Sequence, residues 1–244
     1  MSLLRLRLET SLREPDGRWR LEAEEGHHLT VRRCSSGDRV EGLLPGCRVV
    51  LRLERQGNVW YGQEEECHPD EGVPVRITLL AGILKEDAWD TLLRVATEVG
   101  VCRILPLLCT RSVPRWEGAR LAARLERWRR ILAEATKQCG ASEAPELMRP
   151  QPVDALEEHL LPPDRFAALL SGDARPLPGE PFGDDVALAI GPEGDFTSEE
   201  GESLRHWAFR PISLGERVLR APTAVAVGCA WFGVFRGGVG RERP

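Results

Sequence analysis

Ile190-Gly191-Pro192-Glu193-Gly194-Asp195-Phe196-Thr197-Ser198-Glu199-Glu200 is the stretch that decides the fold. It continues the apolar run Val186–Ile190, which has the character of a strand buried on both faces. It ends with capping-box spacing, Thr197 as N-cap and Glu200 three residues on. Strand, tight turn and capped helix therefore follow one another. A turn with two glycines and a proline exposes its backbone at the carboxyl end of a strand, where open α/β sheets bind ligands. The plainer reading is a simple strand-to-helix connection. Two more turns have the same setting. Ser213-Leu214-Gly215-Glu216-Arg217-Val218-Leu219-Arg220 leads from a short strand, Pro211–Leu214, into the apolar helix Ala221–Phe235. Leu170-Ser171-Gly172-Asp173-Ala174 follows the strand Phe166–Leu170. Arg217 and Arg220 stand before a helix start, which disfavours cations, so an anionic ligand or substrate would account for them. Three such turns can form one pocket.

Upstream the same alternation holds. Val75–Leu84 (VRITLLAGIL) is nearly all apolar, as a doubly buried strand requires. Glu86–Gly100 places Trp89, Leu92, Leu93, Ala96 and Val99 at helical spacing, with Gly100 as the stop. Arg103–Leu108 is a further strand. Gly118–Cys139 is an amphipathic helix with Leu121, Leu125, Trp128, Ile131, Leu132 and Ala135 on one face. Strands alternating with helices predict a mostly parallel α/β domain with helices on both faces. Residues 1–66 differ. Short β-rich runs (Leu4–Leu8, Trp19–Leu21, Arg48–Leu53, Val59–Gly62) separated by turn formers predict a small β barrel. His68–Pro74 has linker chemistry. The expected division is 1–72 and 73–244.

Composition narrows the function classes. Lys plus Arg is 33 and Asp plus Glu 38, a formal charge of −5, with 42% apolar residues in 244, so a disordered chain is excluded. Seven scattered cysteines without a C-x-x-C predict a reduced, cytosolic protein with no disulfide framework and no zinc site. His27-His28 lacks further ligands at site spacing, so no metal is expected there. Charges at Arg5 and Arg7 interrupt what a signal peptide would need, and no run is long enough for a membrane helix. Residues 103–149 hold 10 basic and 5 acidic side chains, against 11 and 14 in 1–72. A local basic stripe leaves a nucleic-acid partner open despite the acidic total. There is no G-x-G-x-x-G, Walker A loop or G-x-S-x-G elbow.

The run IGPEGDFTSEE (190–200) followed by SLGERVLRAPTA (213–224) resembles the GPEGG…LG-x-R-I-L-R-x-E-T-A signature of the RsmE family, the 16S ribosomal RNA uracil-N3 methyltransferases of the SPOUT superfamily. The segments LLAGILKEDAWDTLLRVATEVGVCRILPLLCTRSVPR (79–115) and EATKQCGASEAPEL (134–147) are similar to family segments in order and spacing, as are His28-Leu29, Arg33 and Gly37-Asp38 near the front. Three positions differ from the pattern: Asp195 where a second Gly is usual, Ala221-Pro222-Thr223-Ala224 in place of x-E-T-A, and Ala141 where an Arg is usual.

The resemblance implies a PUA-like, RNA-binding barrel over 1–72 and a SPOUT methyltransferase domain with a deep trefoil knot over 73–244. It implies S-adenosylmethionine as cofactor, held by Leu170, Gly172, Gly191, Pro192, Glu193, Gly194, Leu214, Gly215, Val218, Leu219 and Thr223. It also implies a homodimer, with 16S rRNA or the 30S subunit as partner and no membrane or metal. Neutral N3–H of uracil is not nucleophilic, and its loss spreads charge onto O2 and O4. A guanidinium in a dry pocket stabilises that charge, Arg220 in first place and Arg217 in second. Glu193 either takes a proton or holds its turn by accepting backbone N–H bonds. Candidate RNA contacts are Arg5, His28, Arg33, Lys85, Arg111 and Arg115, with the arginines of 103–130; their alternative is a solvated helix face. Two other readings stay open: an RNA-binding protein on a degenerate SPOUT scaffold, and a SPOUT enzyme with another RNA target.

Overall fold

The computed structural model describes residues 3–9, 12–69, 75–112, 116–170, 173–177 and 182–238. The chain forms two compact units, Met1–Gly72 with Thr136–Glu143, and Val73–Ala135 with Ala144–Pro244.

The first unit contains β1 (Leu4–Arg7), β2 (Trp19–Arg20), α1 (Ala23–Val31), β3 (Arg39–Leu44), β4 (Cys47–Gln56) and β5 (Val59–Pro69). Its sheet runs β1-β3-β4-β5-β2, with β1 parallel to β3 and the remaining pairs antiparallel. Among the described residues no pairing joins the edge strands β1 and β2. The expected small barrel is therefore corrected to an open five-stranded sheet, whose edges span only four and two residues. Leu6, Trp19, Leu29, Val40, Leu51, Leu53 and Trp60 form its core. Two elements were not foreseen. Helix α1 buries only Glu25 and Leu29, too few apolar positions for a helical period to show. His27 and His28 lie on this helix. In β3, Gly42 interrupts the alternation because its neighbours leave no room for a side chain: a Cβ there would meet Leu8 Cδ1 at 2.4 Å.

Glu25 is buried and paired through one oxygen: its Oε1 lies 2.6 Å from the Lys137 ammonium and accepts the Arg7 N–H at 3.2 Å, while Oε2 has no partner among the described residues. Arg5 bonds Glu41 and the Gln138 carbonyl, at 2.9 and 2.6 Å, and lies against Gly140, where a Cβ would meet its guanidinium.

The second unit contains β6 (Arg76–Gly82), α2 (Glu86–Glu98), β7 (Val101–Leu108), α3 (Gly118–Cys139, ending in the first unit), β8 (Glu146–Leu147), β9 (Gln151–Pro152), β10 (Asp164–Ala168), β11 (Arg175–Pro176), β12 (Asp185–Ile190), α4 (Ser198–His206), β13 (Arg210–Ser213) and α5 (Ala221–Gly238). The sheet is parallel throughout, ordered β11-β13-β10-β12-β6-β7-β8, with β9 also on β7. The period-2 pattern explains why its strands are apolar without alternation. Ile77, Leu79, Ala81, Val186, Leu188 and Ile190 join the core shared with α2, α3 and α5, while Leu80, Ala187 and Ala189 join the core shared with α4. Trp89 and Trp128 meet at 5.3 Å between ring centroids, adding about 0.5–1.5 kcal/mol to the burial of their area. No described helix is long and apolar enough to cross a membrane.

Candidate functional site

The turn after β12 is held from several directions. The Asp195 N–H donates to the Pro192 carbonyl at 2.9 Å, closing a β-turn. Asp195 has φ +60°, and its Oδ1 accepts the Phe196 N–H at 2.8 Å. Aspartate is one of the few side chains that enters this region readily, because its short carboxylate bonds locally. That conformation is why Gly and Asp can exchange at this position. Asp195→Ala should cost about 1–2 kcal/mol in urea unfolding, and Asp195→Gly far less.

Glu200 completes the capping box: it accepts the Thr197 N–H at 2.8 Å, and Thr197 Oγ1 accepts the Glu200 N–H at 3.2 Å. Its other oxygen accepts the Thr110 N–H at 2.6 Å, joining the loop after β7 to the start of α4. Arg111 donates to the Gly194 carbonyl at 2.5 Å. On the other side, Glu193 Oε1 accepts the backbone N–H of Lys85 at 3.1 Å. Burial, and next the Glu200 carboxylate, push the Cys109 thiol up to about 12, so it stays protonated behind the turn.

Close backbone approach brings the turn to the sheet. A Cβ on Gly82, the last residue of β6, would meet Pro192 N at 2.5 Å and Pro192 Cδ at 2.6 Å. A Cβ on Gly191 would meet Asp195 Oδ1 at 2.7 Å. Gly228 does the same for α5, where a Cβ would meet Leu188 Cδ2 at 2.7 Å. Pro222 sits in the first turn of α5, where its missing N–H costs nothing.

These turns enclose a cavity of about 1010 Å³ at the carboxyl ends of β6, β10, β12 and β13. Leu170, Gly191, Pro192, Glu193, Leu214, Gly215, Arg217, Val218, Leu219, Arg220 and Thr223 all line it. Gly194 does not, and acts on the turn through Arg111. Gly172 lies outside the described residues. The first turn of α2 adds Lys85, Asp87, Ala88 and Thr91. Apart from Lys85 these were missed, although their place just after the carboxyl end of β6 was a usable signal. Gly215 has φ +125°, open to glycine alone, so the third turn depends on it.

The lining is suited to a nucleoside-sized ligand. Leu170 and Val218 are large apolar side chains 70% and 76% exposed, among the few in the molecule that the chain does not cover. Lys85, Arg217 and Arg220 are exposed, and their side chains make no hydrogen bond or ion pair among the described residues. Three cations thus face one cavity that also holds Asp87, Glu193 and Asp195.

The other basic residues divide. Arg124, Arg127 and Arg130 of α3 pair with Glu86, Asp90 and Glu126, and Arg103 with Glu146. The Asp90 bond is bidentate, at 2.7 and 2.5 Å, and it raises the Arg127 pKa. Arg5 is engaged within its own unit, and His28 Nε2 is buried without a partner among the described residues. Arg33 is exposed at φ +58°. Arg115 lies outside the described residues. Among the described residues no group of three or more His, Cys, Asp or Glu could hold a metal.

A family model described as an RNA methyltransferase domain matches residues 71–233. Ribosomal RNA small subunit methyltransferase E of Synechocystis sp. is 30% identical over 195 residues, 73% of this chain and 63% of that protein. The protein of the same name from Bacillus subtilis is 25% identical over 219 residues, 84% of this chain and 85% of its own. The chain thus spans somewhat under two thirds of the first relative and most of the second. Among solved structures, a methyltransferase of Legionella pneumophila with bound SAM has a TM-score of 0.81 at 25% identity, covering 96% of this chain and 98% of that one. A ribosomal RNA small subunit methyltransferase E from Neisseria gonorrhoeae, bound to S-adenosyl methionine, has a TM-score of 0.83 at 24% identity over the same shares, a likeness of fold.

Proposed function

The chain belongs to the RNA methyltransferase family, and from that premise we propose that it methylates N3 of a uridine in 16S rRNA on the small ribosomal subunit, with S-adenosylmethionine as donor. The observation that carries this is the convergence of the carboxyl ends of β10, β12 and β13, with the turns after β12 and β13, and of three cations without a partner among the described residues, on one cavity of about 1010 Å³. The fit to the cofactor rests on the lining: exposed Leu170 and Val218 for the flat apolar face of adenine, the backbone of Leu214–Leu219 and Ile190–Glu193 for its polar edges, and carboxylates for its cationic groups. When bound, the cofactor supplies an electrophilic methyl group on a sulfonium.

The protein supplies geometry and charge. Holding the acceptor base in line makes the displacement effectively unimolecular. Loss of the N3 proton to solvent leaves negative charge on O2 and O4, and Arg220, just before α5, is the group we assign to stabilise it. Arg217, three residues earlier in the loop between β13 and α5 and lining the same cavity, is the second. Glu193 already accepts the Lys85 N–H, which favours a role in holding the turn over one in taking the proton. Lys85, Arg111 and Arg33 remain as candidate phosphate contacts, and affinity for RNA should fall steeply with salt.

We extend the reading to the rest of the chain. The first unit is assigned to RNA binding as a PUA-like module. The second is assigned a trefoil knot. Its strand order supports this, because β12 lies between the earlier strands β10 and β6, and β13 beyond β10. The exposed apolar side chains Val218 and Val227 support a homodimer. The setting is cytoplasmic, where ribosomes are made. Mass spectrometry of 16S rRNA nucleosides from a strain lacking the gene tests the activity. Loss of 3-methyluridine, restored by the intact gene, is the expected result; its retention would assign another RNA target. Calorimetric titration with S-adenosylmethionine should show heat, and none would leave only the degenerate RNA-binding scaffold.

A further inference from the structure

We propose that the first unit carries a pocket for one unpaired nucleotide of the RNA substrate, recognised through its base. This rests on the methyltransferase reading for its choice of partner, but on a different cavity for its evidence. A hollow of about 310 Å³ lies where the edge strand β2, one face of α1 and the tip of the β4–β5 hairpin meet. Besides Thr30, whose hydroxyl donates to the Gly26 carbonyl at 2.9 Å, its polar lining is four side chains: Arg20 from the strand, Glu22 and His27 from the helix and its N-cap, and Asn58 from the hairpin tip.

None of these four side chains has a hydrogen-bond or ion-pair partner among the described residues, and Glu22 makes no cap bond to the helix it precedes. That sets Arg20 apart from its neighbours. Arg5, Arg13, Arg18, Arg39, Arg48 and Arg52 of the same unit are all engaged with carboxylates. The hollow is also built. Gly26 lets α1 ride on the Trp60 indole, where a Cβ would meet Cδ1 at 3.1 Å, and Trp60 itself is buried.

The chemistry selects the occupant. A phosphate or an acidic peptide calls for excess positive charge, yet the one guanidinium of this lining is offset by one carboxylate. Arg20 and the Asn58 amide donate; Glu22 and the Asn58 carbonyl accept. Donors and acceptors together in one hollow match the edge of a nucleobase, and bases are open to such reading where RNA is unpaired.

The test uses the full-length chain and a 16S rRNA transcript carrying 4-thiouridine. After irradiation, peptide mapping should find nucleotide adducts on the peptide that contains Asn58. The double variant R20A/N58A should bind the unmodified transcript about tenfold more weakly, with its melting temperature and its affinity for S-adenosylmethionine unchanged. Adducts confined to other peptides, or RNA affinity of the double variant within about twofold of the parent, would overturn the pocket. A parent chain that binds S-adenosylmethionine and RNA while the double variant matches it removes the pocket alone. A parent chain that binds neither removes the methyltransferase reading, and the pocket with it.

Discussion

Under the proposed function, Arg220→Ala is expected to lower kcat for methyl transfer by about a hundredfold to a thousandfold, the range seen when a preorganised charge-stabilising group is removed from a reaction centre. S-adenosylmethionine affinity should stay within a few-fold, because the turns that line the cavity are held by other contacts: Arg111 on Gly194, Glu200 on Thr110 and Thr197, and Glu193 on Lys85. Arg220 is free to play this part because its side chain has no intramolecular partner among the described residues, although its carbonyl starts α5 by accepting the Ala224 N–H at 2.9 Å. The measurement is single-turnover methylation of 30S subunits beside calorimetric cofactor titration. Lysine keeps a positive charge at this position and glutamine does not, so Arg220→Lys should restore part of the rate, whereas Arg220→Gln should not. Unchanged turnover in Arg220→Ala would remove it from the mechanism and move the assignment to Arg217.

The second large effect is expected at Gly82→Ala, one carbon added where β6 meets the turn after β12. The new Cβ falls 2.5 Å from Pro192 N, 2.6 Å from Pro192 Cδ and 3.1 Å from the Gly191 carbonyl carbon. Two of these atoms are backbone and the third belongs to a rigid ring, so no side chain can swing away. Either the strand end or the turn must shift. Overpacking of this kind costs about 1–3 kcal/mol, and this site belongs at the upper end. Because the displaced atoms border the cavity, cofactor affinity should fall as well, by about tenfold or more, since sites of this kind tolerate little misplacement. Urea unfolding read beside calorimetry separates the two losses. A variant with the parent's midpoint and affinity would mean that this contact is absent.

Several elements were legible before any coordinates. Glu86–Glu98, Gly118–Cys139 and the strands around Arg76–Gly82 and Asp185–Ile190 came close to their expected bounds, because a long helical period and an unbroken apolar run are strong local signals. Thr197 and Glu200 form the capping box their spacing announced. Helix α1 was not legible, because its face buries two residues, one of them a glutamate that depends on Lys137 from a distant part of the chain. The arginines of α3 show the same limit. Periodicity put them off the apolar face, but only the fold shows Asp90 and Glu86 waiting across from them.

What the residues determined unaided is the alternation of strand and helix, the three glycine-bearing turns and the motifs that mark an RNA methyltransferase. These depend on neighbours within a few positions, where propensity, capping and turn chemistry act. The tertiary structure decided which charges are free. Lys85, Arg217 and Arg220 face a shared cavity while thirteen other arginines among the described residues are tied to carboxylates, and whether a cation is available depends on partners brought near by folding, which no local pattern records.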